Sequence, residues 1–468
     1  MINHLQIQNF KCWKDTGNIT LSPLTVFFGS NSSGKSSIGQ FLMMLKQSVE
    51  FSDRKTVFYT GNDTTAVDLG LPANLIFNQE RKNHIIFSYD WTPDDELELR
   101  DTPRPKETAT HIRFFGEVKI LQESQSMEVE SIKYDLKTNG NDSVSFALKR
   151  KNTSNSSKKG YQLQPTNYDL TRKQGRAWDI TSPVRFYGFP DEAVAYYQNA
   201  GFLQNINLFH ERLFSTIHYL GPLRNRAKRL YTWLGGTPKD VGVIGEDSIS
   251  AILAAREEKR LINLKDRSPR KSLEYIVAKM LKKMGLIEDF KINQISESRQ
   301  DYEVKVKTRG SKNYVDIPDV GVGVSQVLPV IVEIFYAPPG STIIIEQPEL
   351  HLHPSAQAHL ADVMVDAIHA KEDYAPRNIQ LIIESHSEHF LRRFQRRVAE
   401  DTLKQDELSA YFIDYDGGAH LKPLQLDIFG EISNWPENFF GDIEGDIYYQ
   451  AKAGVKKRLE AKNGKENH

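Results

Sequence analysis

A single cysteine, Cys12, stands in the whole 468-residue chain. One thiol cannot close an intramolecular disulfide, and it excludes a multi-cysteine zinc or iron–sulfur framework. A reducing compartment is expected. No uninterrupted apolar run reaches the roughly 18 residues that a membrane-spanning helix needs. The longest apolar stretch, Val327–Phe335, is broken by Pro329 and Glu333. Residues Met1–Trp13 alternate like a strand and lack the apolar centre of a secretory leader, so a cytoplasmic location with no membrane partner is expected. Net charge is almost absent as well. Sixty basic side chains face 61 acidic ones, for a formal charge of -1. That balance excludes a generally cationic nucleic-acid coat but leaves room for a local basic strip. Internal repeats and sustained heptads are also missing. Apolar material is not: 39% hydrophobic against 26% charged residues is enough for a sizeable core and excludes wholesale disorder.

The pattern along the chain changes several times. Residues 2–28 alternate and end in the apolar run Leu24–Phe28, which predicts strands with the last one buried. Ile38, Phe41, Leu42 and Leu45 recur at helical spacing and predict a helix over 36–50. From 56 to 190 β-rich pieces alternate with loops rich in Asp, Pro, Asn and Ser, and the polar, basic stretch 149–160 is expected to be a mobile hairpin tip. Residues 192–216 and 247–285 are predicted to be helical. The apolar runs Thr342–Ile345, Gln380–Ile383 and Tyr411–Asp414, with helical stretches between them, have the rhythm of a parallel sheet with crossover helices. Five regions follow: 1–55, 56–190, 191–290, 291–415 and a C-terminal extension 416–468. The tail from Lys452 is short, basic and expected to be mobile.

Four motifs carry chemistry. The first is Gly29-Ser30-Asn31-Ser32-Ser33-Gly34-Lys35-Ser36, followed by Ser37, which fits G-x-x-x-x-G-K-[ST] between a buried strand and a helix. Small residues let main-chain N–H groups curl around phosphate oxygens, and the helix N-terminus adds its dipole. Lys35 is expected on the β- and γ-phosphates and Ser36 on Mg²⁺. The second is the strand end Ile343-Ile-Ile-Glu346-Gln347-Pro-Glu349. An acid there faces Mg²⁺, and Glu346 is the candidate. Gln347 can orient a water but cannot accept its proton, whereas Glu349 could. His351 and His353, with no cysteine nearby, are expected to be structural. The third is Glu384-Ser385-His386-Ser387, where a strand end presents an imidazole able to bond a γ-phosphate or a water. The fourth is Gly321-Val-Gly323-Val-Ser325-Gln326 before an apolar helix, a second anion site with Ser325 as the expected N-cap. Two phosphate sites in one chain make sense if the second covers the nucleotide of a partner copy.

In this order, the four motifs resemble an ABC-type ATPase of the SMC/RecF/OLD class, and Ile7-Gln-Asn-Phe10-Lys is similar to the first strand of such proteins. The resemblance implies an α/β fold: an ABC/SMC-like ATPase head with a P-loop parallel core sheet, an N-terminal antiparallel β subdomain, and β-rich and helical insertions. It matches Lys35 and Ser36 to the Walker A pair, Glu346 to the Walker B acid, Gly321, Gly323, Ser325 and Gln326 to the signature loop, and His386 to the switch histidine. It implies ATP and Mg²⁺ held in a head-to-tail dimer, each signature loop closing the other subunit's site. Gln79 is a further, weaker match to a Mg²⁺-sensing glutamine. The stretch from Tyr219 to Arg224 and the tail 434–440 look like standalone bacterial ATPases of anti-phage operons, with Septu-type and PARIS-type ATPase subunits the nearest in organisation. The Glu-Gln-Pro-Glu form, in place of Asp-Glu-Pro-Glu, implies slow hydrolysis.

Two basic clusters, Arg224, Arg226 and Arg229, and Arg392, Arg393, Arg396 and Arg397, are candidate contacts for DNA or a polyanionic partner, or else ion-paired surface. The chain after His386 is short for a metal-dependent nuclease with its own carboxylates. The expectation is therefore an ATP-hydrolysing switch, the sensor subunit of an anti-phage complex, controlling a separately encoded nuclease or toxin and answering to a phage protein or DNA. The alternatives are an ATP-dependent DNA-repair clamp and a non-hydrolysing ATP-bound scaffold.

Overall fold

The computed structural model describes the chain except residues 80–83, 94, 100–107, 122–125, 140–142, 152–159, 176–178, 266–267, 437–438, 440–442 and 464–468. Its centre is a six-stranded sheet in the order Ile217–Leu220, Thr342–Glu346, Gln380–Glu384, Leu24–Gly29, Leu408–Tyr415, Ala419–Pro423. The first five strands run parallel. The last pairs antiparallel at the edge. Successive side chains point to opposite faces of a strand, and here both faces are buried. Leu24, Val26, Phe28, Ile343, Ile345, Leu381 and Ile383 enter one core, where the helices Val322–Tyr336, Pro354–Ile368 and Glu388–Ala399 pack. Phe27, Ile344 and Ile382 enter the other, against the helix Lys35–Glu50. Two-sided burial is why these strands read as unbroken apolar runs.

The second sheet is antiparallel. Ile2–Phe10 pairs with His84–Trp91, and Thr108–Ile120, Met127–Thr138, Ser143–Arg150 and Tyr161–Thr166 follow in order. The helix Lys35–Glu50 lies between the two sheets. Phe41 meets Phe10 edge-on at 5.0 Å and Phe87 at 5.3 Å. The helix that follows the phosphate loop is thus wedged between the two sheets in one core, which fixes where its N-terminus points.

Beneath the antiparallel sheet, the helix Phe202–Ser215 buries His210 completely. Tyr134 donates its hydroxyl hydrogen to the Tyr187 carbonyl at 2.9 Å, so it accepts from His210 Nδ1 at 2.8 Å. Nε2 is left to accept from the Tyr89 hydroxyl at 2.7 Å. Burial holds the imidazole well below its usual value, and the neutral tautomer satisfies every polar atom of the trio. At the opposite core, Arg377, fully buried, donates to the carbonyls of Ile334 (3.0 Å) and Ala337, and Arg260 donates to those of Tyr336 and Ala337. Glu372 takes both guanidinium groups. Cations at the end of Val322–Tyr336 complement its dipole.

Several expectations need correction. The predicted helix over 192–216 is two helices, Asp191–Tyr196 and Phe202–Ser215. The one over 247–285 is also two, Ser248–Glu257 and Leu273–Lys283. Between them Leu261–Asn263 pairs with Lys371–Glu372 and with Lys271–Ser272, and Pro269 could not have continued a helix. The apolar helix expected after the fourth motif is Val322–Tyr336, with Pro329 inside it. This proline withholds the N–H that would reach the Ser325 carbonyl. Residues 452–463 of the tail belong to the helix Ile443–Asn463, and its last five residues lie outside the described residues. The tip expected within 149–160 lies for the most part outside the described residues. Among the described residues no helix is long and apolar enough to cross a membrane.

Candidate functional site

The buried strand Leu24–Gly29 delivers the loop 29–34 to the carboxyl end of the core sheet. Gly29 has φ 150°, and a Cβ there would lie 2.3 Å from the Ile413 carbonyl oxygen. Gly34 has φ 109°, with Cys12 Sγ 2.5 Å from where its Cβ would be. Both positions need glycine. Ser32 takes a left-handed φ of 60°. Ser30, Asn31 and Ser32 are exposed, whereas the Ser33 hydroxyl is buried with no hydrogen-bond partner. The 16-residue helix that follows has no side-chain cap and no acid in its first turn, which leaves its N-terminal amides open to an anion. Lys35 Nζ donates to the carbonyls of Gly29 (3.1 Å) and Ser30 (2.6 Å). Ser37 differs from expectation. It accepts from Trp13 Nε1 at 2.7 Å and donates to the Gly34 carbonyl, so it braces the loop from beneath.

Parallel register places the acids. Glu346 and Glu384 are neighbours across adjacent strands, and Glu384 is the neighbour of Phe27 on the loop strand. Ser36 lies against the Glu384 carboxylate. Glu346, 7% exposed, accepts from the Tyr219 hydroxyl at 2.8 Å. Glu349, equally buried, accepts from the His386 main-chain N–H at 2.7 Å. Gln347 sits at φ 44° and donates its N–H to the Glu384 carbonyl at 2.9 Å. Burial, then the charge of Glu384, pushes Glu346 up to about 7. Burial also raises Glu349 and Glu384. It lowers Lys35 against the pull of Glu384 and Glu349. The His386 ring, beside the Gly29 main chain, is held down by burial and by Lys35. The site is a buried cluster of carboxylates with Lys35 and Arg224 beside it, in which burial disfavours the charge of each acid.

The donor set fits a nucleotide polyphosphate with a hard cation. The loop offers amides, Lys35 and an unpartnered Ser33 hydroxyl. Ser36, Glu346 and Glu384 offer oxygen, and Glu384 Oε2 is buried without a partner. Among the described residues no three His, Cys, Asp or Glu side chains cluster closely enough to hold a metal alone. A Mg²⁺ ion takes one or two carboxylates and completes its shell with phosphate oxygens and water. Gln79 closes a short turn, Phe77–Gln79, and its side chain lies outside the described residues. His353 caps the helix Pro354–Ile368, accepting from Ser355 N at 3.3 Å. Exposed His351 is part of the turn at φ 62°.

The fourth motif opens Val322–Tyr336 with exposed Gly321 as N-cap. Ser325 is therefore not the cap. It lies in the first turn, and its hydroxyl donates to the Val322 carbonyl at 2.8 Å. Gly323 allows close approach, since a Cβ there would sit 3.0 Å from the His351 carbonyl oxygen. Gln326 is buried.

The basic clusters divide by their partners. Arg224 is 7% exposed and bonds the Glu346 and Gln347 carbonyls, so it offers nothing to an external phosphate. Arg229 is held by Asp316 and Asp319. Arg393 and Arg397 clasp Asp362, Arg392 pairs with Glu388, and Arg396 pairs with Glu400. Arg226 is exposed. Three residues of the site were not assigned from their motifs: Glu384, Tyr219 and Arg224. Glu384 was legible as the acid ending an apolar strand. The other two depend on the edge strand Ile217–Leu220 joining this sheet, which no local pattern reveals.

A phosphate loop, strand-end acids and a histidine on one sheet edge define a P-loop nucleotide-binding protein. The chain belongs to the AAA ATPase domain family, whose model matches residues 1–184 and 244–391. Residues 403–449 match a second model, described as a protein of unknown function (DUF3696). No curated protein matches. Among solved structures the chain is similar to an SMC head bound to the C-terminal winged-helix domain of ScpA, at 10% identity and a TM-score of 0.41, over 91% of this chain and 98% of that one. It is similar to the SMC head domain from Thermotoga maritima at 9% and 0.39, over 91% and 99%. It is also similar to the Smc head with an extended coiled coil bound to the C-terminal domain of ScpA, derived from Pyrococcus furiosus, at 11% and 0.41, over 90% and 96%.

Proposed function

We propose that the protein is an ATP-hydrolysing switch whose site is completed by a second copy. The observation that carries it is the register of the core sheet, which sets Glu346 and Glu384 side by side beside the Ser36 end of the phosphate loop. The loop amides and Lys35 bind the triphosphate. Ser36 and Glu346, with Glu384 behind, would hold Mg²⁺, and the chemistry it would supply there is neutralisation of phosphate charge. Gln347 orients the attacking water through its amide. Glu349, its carboxyl raised by burial, is the nearby base for the proton, and neutral His386 donates to or accepts from the reacting oxygens. Exposed Gly321 and Val322, with Ser325 behind them, form the surface that covers the nucleotide of the partner copy. We further read the chain as the ATPase subunit of an anti-phage complex acting on a separately encoded effector. The likeness of Tyr219–Arg224 and of the 434–440 tail to standalone bacterial ATPases supports this.

Replacing Lys35→Ala tests the core of the proposal. Turnover is expected to fall by about 100-fold or more, and phage protection is expected to vanish with it. Unchanged turnover refutes the ATPase. Co-purification with the product of the neighbouring reading frame tests the effector. Gln347 favours one rival, a scaffold that holds ATP without cleaving it. Glu349→Gln separates the two: a further loss of turnover supports the switch, and a rate already negligible and unaltered supports the scaffold. The DNA clamp is less favoured, because most of the arginines that motivated it are bound within the chain.

A further inference from the structure

The segment 219–224 leaves the edge strand Ile217–Leu220 and crosses in front of the turn Glu346–Glu349. It meets that turn at both ends. The Tyr219 hydroxyl holds Glu346 Oε1 at 2.8 Å. Arg224 holds the main chain: Nη2 donates to the Glu346 carbonyl at 2.8 Å and Nη1 to the Gln347 carbonyl at 3.4 Å. Its Nε is buried and has no partner. A planar guanidinium fork fixes the position of both carbonyls, which a lysine cannot do.

The same arginine is held from the other side. Gln326, 7% exposed and next to Ser325 on the helix Val322–Tyr336, donates Nε2 to the Arg224 carbonyl at 3.2 Å. The segment is pinned around it, with Gly221 N on the Val243 carbonyl and Asn225 N on that of Ile244, each at 2.8 Å. One residue therefore bridges the helix that presents Ser325 and the turn that presents Gln347. Gln347 is a non-glycine residue at φ 44°. Such a backbone costs on the order of 1–3 kcal/mol and persists only where neighbours impose it. The Glu384 carbonyl takes its N–H and Arg224 takes its C=O.

We propose that Arg224 is a positioning residue that couples the signature helix to the Gln347 turn of the same chain, so that engagement of Gly321–Ser325 by a second copy's nucleotide resets the water-orienting amide. The coupling rests on the shared-site reading above. Movement of the helix carries Gln326, Gln326 carries the Arg224 main chain, and the guanidinium carries the Glu346 and Gln347 carbonyls.

The test is a double-mutant cycle in the full chain with Arg224→Lys, Gln326→Ala and both together. The first readout needs no nucleotide: hydrogen exchange of the Gln347 amide. Each single variant is expected to raise it by about tenfold, and Gln326→Ala does so only by way of Arg224. The second readout is ATP turnover against ATP concentration. Each variant is expected to lower kcat by about tenfold with KM within about twofold and to bring the Hill coefficient toward one. The double variant is expected to be no worse than the more damaging single one. Additive losses, or wild-type exchange at Gln347 in Gln326→Ala, overturn the coupling. If Arg224→Lys fails to fold, exchange in Gln326→Ala decides alone. A wild-type chain that neither turns over ATP nor self-associates with it refutes the shared-site reading. Cooperative wild-type turnover with additive variants removes only the relay.

Discussion

Glu346 should make the nucleotide-free protein lose stability as the pH rises toward neutrality. Its carboxyl has a folded value of about 7 against an ordinary 4.5, because burial and the neighbouring Glu384 both disfavour its charge. The folded state therefore holds this proton more tightly than the unfolded chain does. The resulting stability is complete below pH 4.5 and is lost as the pH climbs through about 7. A displacement of that size corresponds to about 3 kcal/mol, at about 1.4 kcal/mol per pH unit. Glu349 and Glu384, also raised, act in the same direction, whereas His386, held low, contributes stability that is lost as the pH falls. The difference between wild type and Glu346→Gln isolates the one group, since glutamine keeps the shape and still accepts from Tyr219. Urea unfolding followed by tryptophan fluorescence at several pH values between 4.5 and 7.5 supplies the free energies. The wild-type advantage over the variant should shrink steadily across that window. A difference that is flat, or that grows with pH, would refute the picture of an acid cluster whose charge burial disfavours.

Three other outcomes follow from particular contacts. Gly34→Ala places a Cβ 2.5 Å from Cys12 Sγ at φ 109°, so nucleotide affinity should fall by about tenfold or more while circular dichroism stays native. Arg377→Ala strips the buried donors from the Ile334 and Ala337 carbonyls at the end of Val322–Tyr336, while Glu372 keeps Arg260, and should cost about 1–3 kcal/mol in urea unfolding. His210→Phe leaves the Tyr89 hydroxyl without its acceptor and Tyr134 without its donor. It should cost about 1–3 kcal/mol with little effect on ATP turnover, because the trio bonds to itself and to the Tyr187 carbonyl and not to the phosphate loop or the strand-end acids.

Local pattern made much of the architecture legible. Leu24–Phe28, Thr342–Ile345, Gln380–Ile383 and Tyr411–Asp414 all fall on strands of one sheet, because strands buried on both faces must be apolar throughout. The glycines, Lys35 and Ser36 declared a phosphate loop, because few residue types tolerate that backbone. Helix extents were less legible. A helical period is read across 247–285, but the strand Leu261–Asn263 pairs both with nearby Lys271–Ser272 and with Lys371–Glu372, more than a hundred residues away.

The amino-acid order alone determined that this chain has a phosphate loop and a core sheet to carry it, since both depend on steric permission and apolar periodicity within a few residues. Tertiary structure decided which acids meet. Register between strands 38 residues apart pairs Glu346 with Glu384, and an edge strand from the middle of the chain brings Tyr219 and Arg224 to them. It also turned Arg224, Arg393 and Arg397 inward, onto the Glu346 turn and Asp362, and paired exposed Arg229 with Asp319. A buried charge is governed by the neighbours that folding supplies, and those neighbours are distant in sequence.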